Sequence, residues 1–149
     1  MQNVEQAIEA LGAAMGLDGI GLDGAGNLTL IFDGSLPLNI ARRGASELEL
    51  WTPLPGQGTD AASLRRLLEA NHLGEATGAA RLALQPGGGA AVLCERLDVR
   101  DLDAEALTRR VLDFVRHASF WRSDEATHGA ASPSMPTDDF QMGGTIFRA

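Results

Sequence analysis

The chain has 149 residues, 44% of them hydrophobic, which is enough for one domain with a sizeable core. Acidic residues outnumber basic ones 20 to 12, giving a net charge of −8, and every basic residue is arginine; such a field repels nucleic acid and anionic lipid. A single cysteine, Cys94, rules out an internal disulfide framework, and no apolar run approaches the ~20 residues that span a bilayer.

Val4, Ala7, Ile8, Leu11 and Met15 fall on one face of a helix expected over 4–15. Asn3 suits its N-cap, with Gln6 three residues on as in a capping box, and Gly16 suits the left-handed position that ends it. The stretch GLDGIGLDGAGN (16–27) then repeats Gly-Leu-Asp-Gly. A calcium loop needs oxygen ligands at alternate positions, but counting from Asp18 these hold Ile20 and Leu22, and counting from Asp23 the next is Ala25. The cluster is therefore read as turns between a helix and a strand.

NLTLIF (27–32), LPLNIA (36–41) and ELELW (47–51) carry the alternation of half-buried strands. With Asp33-Gly34 and Arg43-Gly44 between them they read as a three-stranded antiparallel meander. Pro37 suits an early strand position or one facing outward. Glu47 and Glu49 share one strand face and read as a solvated face rather than an acid–base pair.

PLPGQGT (53–59) is a loop, and Asp60 caps a helix expected over 61–72, with Leu64, Leu67, Leu68 and Leu73 as its stripe and Gly74 as its stop. ARLALQ and AAVLCERL flank PGGG (86–89), giving hairpin strands near 80–85 and 90–97. A phosphate cradle should lead from a strand into a helix and end in Lys and Ser or Thr; this glycine run leads into a strand of a lysine-free chain, so it is a turn. Cys94 reads as a buried thiol rather than a nucleophile. Leu107, Val111, Leu112, Phe114, Val115, Ala118 and Trp121 carry the longest helix, 104–122, with Asp103 and Glu105 at its start. From Ser123 the pattern stops, and 123–149 reads as a flexible tail. Its last letters, TIFRA, regain strand-like apolarity, as a frayed end or as a short segment docking on a sheet edge.

No apparatus for chemistry emerges. His72, His117 and His128 lack the spacing of metal ligands, and neither a Gly-x-Ser-x-Gly elbow nor a cysteine with a neighbouring base is present. The expectation is a protein without catalytic, cofactor-binding or metal-ligating residues, and not an enzyme.

The order helix, three strands, helix, two strands, helix resembles that of the class I type III secretion chaperones, the Tir-chaperone-like family. These are small acidic cytosolic proteins that escort effectors to the injection machinery of Gram-negative bacteria. The most specific stretch is LRRLLEANHLGEATGAARLALQPGGGAAVLCERL (64–97), similar to the family's leucine-rich helix, Asn, Leu-Gly, small residues, strand, glycine turn and strand. LTLIFDGSLPLNI (28–40) and VLDFVRHASFWR (111–122) look like its first hairpin and closing helix.

The resemblance covers 4 to about 122 and implies an α+β domain over 1–122, α-β-β-β-α-β-β-α, with helices packed on a twisted antiparallel five-stranded sheet. It also implies a homodimer, with Leu64, Leu67 and Leu68 of the second helix at the two-fold interface. The N-terminal segment of a type III effector would lay apolar side chains into grooves between the first helix and the sheet, with Val4, Ile8, Leu11, Leu28, Leu30 and Phe32 as groove residues, and add backbone pairing at a strand edge. The function implied is that of a cytoplasmic, ATP-independent chaperone keeping its effector non-globular and secretion-competent. The alternative is a regulatory adaptor that sequesters an anti-activator and couples secretion to transcription. A secretion ATPase or a regulatory protein stands as a further partner; nucleic acid and membrane do not.

Overall fold

The computed structural model describes residues 1–123 and the backbone of 145–147. Helix α1 (Val4–Met15) starts where Asn3 Oδ1 accepts from the Gln6 amide at 2.9 Å. Gln6 Oε1 accepts in turn from the Gln2 amide at 3.1 Å, one residue earlier than in a capping box. Gly16, at φ +66°, ends the helix: its amide donates to the Ala13 carbonyl at 3.3 Å and the Leu17 amide donates to Gly12 at 2.8 Å. Gly12 answers a different need. A Cβ there would lie 2.7 Å from Ile20 Cγ1, so the chain after α1 folds back onto the helix only because position 12 has no side chain.

Strands β1 (Asn27–Phe32), β2 (Leu36–Arg42) and β3 (Glu47–Pro53) form the expected antiparallel meander. Asp33 and Gly34 both take positive φ, +50° and +72°, as a tight hairpin turn demands of its central residues. The β2–β3 register pairs Asn39 with Trp51 and Ala41 with Glu49, which would bring Pro37 opposite Pro53. The ladder stops there, where neither residue has an N–H to give.

Helix α2 (Ala61–Ala70) is two residues shorter than its apolar stripe predicts, because Asn71 is engaged by the sheet. The Asn71 carboxamide donates to the Leu82 carbonyl at 3.1 Å and accepts from the Leu82 amide at 2.8 Å. A 3-10 turn over His72–Gly74 follows, with Leu73 at φ +59°. Strands β4 (Arg81–Leu84) and β5 (Ala91–Asp98) form the second hairpin, and β5 pairs antiparallel with β3. Helix α3 (Ala104–Arg122) begins at Asp103, whose Oδ1 accepts from the Ala106 amide at 2.7 Å.

The five expected strands form the antiparallel sheet, and a short further strand, β6 (Thr145–Phe147), pairs antiparallel with β1 and extends it, giving the order β4-β5-β3-β2-β1-β6, as the sheet-edge reading of TIFRA has it. Apart from Ser123 and these three residues, the expected flexible tail falls outside the described residues.

Helices α1 and α3 pack against each other and over one sheet face, where Ile8, Leu11 and Phe114 meet Leu28, Leu30, Leu38, Ile40, Leu50 and Leu93, all essentially without exposed surface. Each such side chain contributes about 1.5–3 kcal/mol through burial. On the opposite face Thr29 Oγ1 donates to Asn39 Oδ1 at 2.9 Å. Helix α2 stands apart, against β4. No helix among the described residues is long and apolar enough to cross a membrane.

Candidate functional site

Two open surfaces with apolar lining stand out among the described residues. The first is an open groove of about 870 Å³ between α1, the 17–26 stretch and Arg42 at the end of β2. Ile8 reaches it from the helix, and Leu17, Ile20 and Leu22, each partly buried against the core, supply the other large apolar side chains of its lining. Glu5, Glu9, Asp18 and Asp23 stand around this lining against one cation, Arg42, which is ion-paired with Glu5. Asp23 shows what the repeated glycine–aspartate motif does. Its Oδ1 accepts from the amides of Ala25, at 2.9 Å, and Asn27, at 2.8 Å, so the carboxylate closes the loop onto β1.

The six residues expected to line a client groove form part of the packed core. Val4, Ile8, Leu11, Leu28, Leu30 and Phe32 are each 0–3% exposed, and only Ile8 also borders the open groove. Sequence reasoning missed Leu17, Ile20 and Leu22 because they sit among turn residues, where no helical or strand period marks them. The signal available was apolar residues in a stretch otherwise made of glycine and aspartate.

The second surface joins α2 to β4. Leu64, Leu67 and Leu68 converge with Leu82 and Leu84 around an apolar cavity of about 290 Å³. Leu67 faces inward and is buried, whereas Leu68 is 72% exposed. Leu73, at 82%, and Leu84, at 44%, are the other exposed large hydrophobic side chains among the described residues, so all three lie on or beside α2 and β4. The leucine stripe flagged the helix; Leu84 was legible only as a strand residue.

The remaining candidates are accounted for by packing. Glu49 is not on a solvated face: it is 4% exposed, held by Arg81 at 2.6 Å and Arg96 at 3.1 Å. Cys94 is buried, and desolvation pushes its thiol pKa up, away from nucleophile behaviour. Burial also pushes the His117 pKa below its usual range, while His72 is exposed and His128 lies outside the described residues. No metal-holding cluster of His, Cys, Asp or Glu occurs among the described residues.

Three helices on an antiparallel sheet in this order, with two open and partly apolar surfaces, are the architecture of small chaperone-like proteins. Solved structures share the fold. A chain of the HopA1–SchA chaperone–effector complex superposes with a TM-score of 0.66 at 16% identity, covering 78% of this chain and 91% of that one. The Yersinia pestis type III secretion chaperone SycH, in complex with a YscM2 fragment, gives 0.64 at 20% identity over 78% and 98%. The ExoT–SpcS complex of Pseudomonas aeruginosa gives 0.58 at 22% over 76% and 92%. No curated protein matches. The chain belongs to the Tir chaperone protein (CesT) family, whose model matches residues 6–122, and is thus a type III secretion chaperone rather than an enzyme.

Proposed function

We propose that the protein is a cytoplasmic homodimer that holds the N-terminal segment of a type III effector in extended form, without ATP, until export. The family match over 6–122, nearly the whole span from α1 to α3, carries this reading. Client side chains would settle over Ile8, Leu17, Ile20 and Leu22, with Val4, Leu11, Leu28, Leu30 and Phe32 as the rigid wall behind them. Each large aliphatic anchor supplies about 1.5–3 kcal/mol, so a few offset the ~2–5 kcal/mol spent in ordering an extended client. The second copy would cover Leu64, Leu67 and Leu68, and with them the exposed Leu84.

The test is co-expression with the product of the adjacent reading frame, followed by co-purification and light scattering. The expected result is a dimer carrying that protein's N-terminal segment. Ile20→Ala and Leu22→Ala should each weaken binding about ten- to a hundredfold, the loss of one anchor, at a folding cost that urea unfolding of the same variants measures separately, because both side chains also pack in part on the core. A chain that purifies alone as a monomer, or client binding indifferent to both substitutions, would overturn the reading.

A further inference from the structure

We propose that the outer edge of β1 is an exchangeable strand site whose resident occupant is the chain's own segment Thr145–Phe147, and that a client must displace it. The displacement rests on the chaperone reading above; the self-occupancy does not.

The peptide groups of β1 show what the edge offers. The Arg42 amide donates to the Gly26 carbonyl at 2.8 Å, and the β1–β2 register runs from Asn27↔Ala41 to Phe32↔Leu36. In an antiparallel ladder alternate residues bond to the same neighbour, so Leu28, Leu30 and Phe32 bond to β2, and Asn27, Thr29 and Ile31 turn their N–H and C=O groups to the open side. Asn27 is already closed there, since its carbonyl accepts from the Asp23 amide at 2.8 Å and its amide donates to Asp23 Oδ1. Thr29 and Ile31 remain, with two donors and two acceptors.

Strand β6 meets that demand. Its register sets Phe147 opposite Thr29 and Thr145 opposite Ile31, the two positions whose peptide groups face outward, with Ile146 opposite Leu30. The far edge of the sheet is treated differently: at Leu82 the Asn71 carboxamide stands in for a neighbouring strand. At Leu82 one edge is therefore capped by a side chain fixed in the fold, and at Thr29 and Ile31 the other is paired with a detachable piece of main chain. The detachable side is also the groove side, because the Asp23–Gly26 turn that lines the groove runs directly into β1.

A three-residue strand makes few bonds and holds its place by being tethered, at an effective concentration on the order of mM for short linkers. It would shield an aggregation-prone edge when no client is bound. A longer client strand anchored in the groove replaces it, and the client's apparent affinity falls in proportion to the fraction of molecules with the edge open.

The experiment uses the full chain and the double variant Thr145→Pro/Phe147→Pro, which removes both outward-matched donors of β6. Amide hydrogen exchange at Thr29 and Ile31 should be at least about tenfold faster in the variant, with Leu28 and Leu30 unchanged. A fluorescent peptide of residues 138–149 should bind the variant at least about tenfold more tightly than the parent chain, whose own strand competes. Thr145→Val/Phe147→Leu, which keeps the donors, should behave like the parent. These readouts need no effector, so they fail or succeed separately from the chaperone reading. Equal exchange at Thr29 and Ile31 in both chains, or equal peptide affinity, overturns the proposal. Protection that vanishes on dilution also overturns it, by showing that the strand comes from a second copy.

Discussion

Glu49 lies on the sheet face opposite the helices with almost no exposed surface, yet its two arginine partners are about half exposed. That asymmetry sets the expected cost of breaking the cluster. Glu49→Gln leaves two cations that can turn to water and should cost about 1 kcal/mol. Arg81→Ala/Arg96→Ala strands a buried carboxylate and should cost about 3 kcal/mol or more, read from urea midpoints. Equal losses would show that the arginines do not hold the carboxylate. Strand alternation correctly placed Glu49 on this face but could not reveal its burial. That depends on register, which sets Arg96 directly across from it on β5 and brings Arg81 in from β4. His117 gives a second residue-scale test. Its Nδ1–H donates to the Asp113 carbonyl at 2.8 Å, and the ring lies against Gly78 near Glu95, Arg110 and Arg116. Desolvation first, then the Arg116 charge, lowers its pKa below the usual 6.5. The unfolded chain therefore binds the proton more readily, so stability is full above about 6.5 and falls as the pH drops from there, by at most about 1.4 kcal/mol per pH unit. His117→Gln should flatten that fall in denaturation midpoints between pH 7 and 5; an identical slope would assign it to other groups.

The faces of the helices decide which of them are core and which are contact surfaces. The stripes of α1 and α3 are buried, but α2 is split, with Leu67 directed inward and Leu68 outward beside Leu84. On the proposed homodimer, Leu68→Glu and Leu84→Glu should each raise the dissociation constant at least about a hundredfold, by placing like charges across its two-fold axis, with the circular dichroism unchanged. Leu67→Ala should instead cost about 2–5 kcal/mol of folding stability. If all three variants only destabilise the monomer, α2 is core and not interface. Periodicity made these elements legible because each long helix and strand repeats its burial over several turns or residues. It failed at places governed by a single side chain or a single strand pairing. The end of α2 is set by Asn71 reaching Leu82, and the strand at Thr145–Phe147, too short to carry a period, is marked in the sequence only by its apolar letters, which fit a frayed end as well as a segment docked on a sheet edge. The open groove was legible only at Ile8, which belongs to the repeating stripe of α1, whereas Leu17, Ile20 and Leu22 depend on Gly12 letting the chain fold back.

At the scale of the molecule, the charge around the groove bears on which client it would take under the proposed function. Arginines are largely committed within the fold, with Arg81 and Arg96 on Glu49, Arg110 on Glu95 and Arg42 on Glu5. Around the groove the rim is acidic, since Glu9, Asp18 and Asp23 have no lining cation beyond the already paired Arg42. An apolar client segment flanked by Arg or Lys should be drawn in by this field, and one flanked by Asp or Glu repelled. The attraction is long-ranged at low ionic strength and is screened within ~10 Å at 0.1 M and ~3 Å at 1 M salt. Raising the salt over that range should therefore weaken binding of a basic-flanked segment about tenfold, mainly through the association rate, and leave a neutral-flanked one nearly unchanged. Stopped-flow measurements on the two segments at both salt concentrations separate the contributions. Parallel salt responses would mean that the acidic rim takes no part in choosing the client, and that apolar anchoring over Ile20 and Leu22 acts alone.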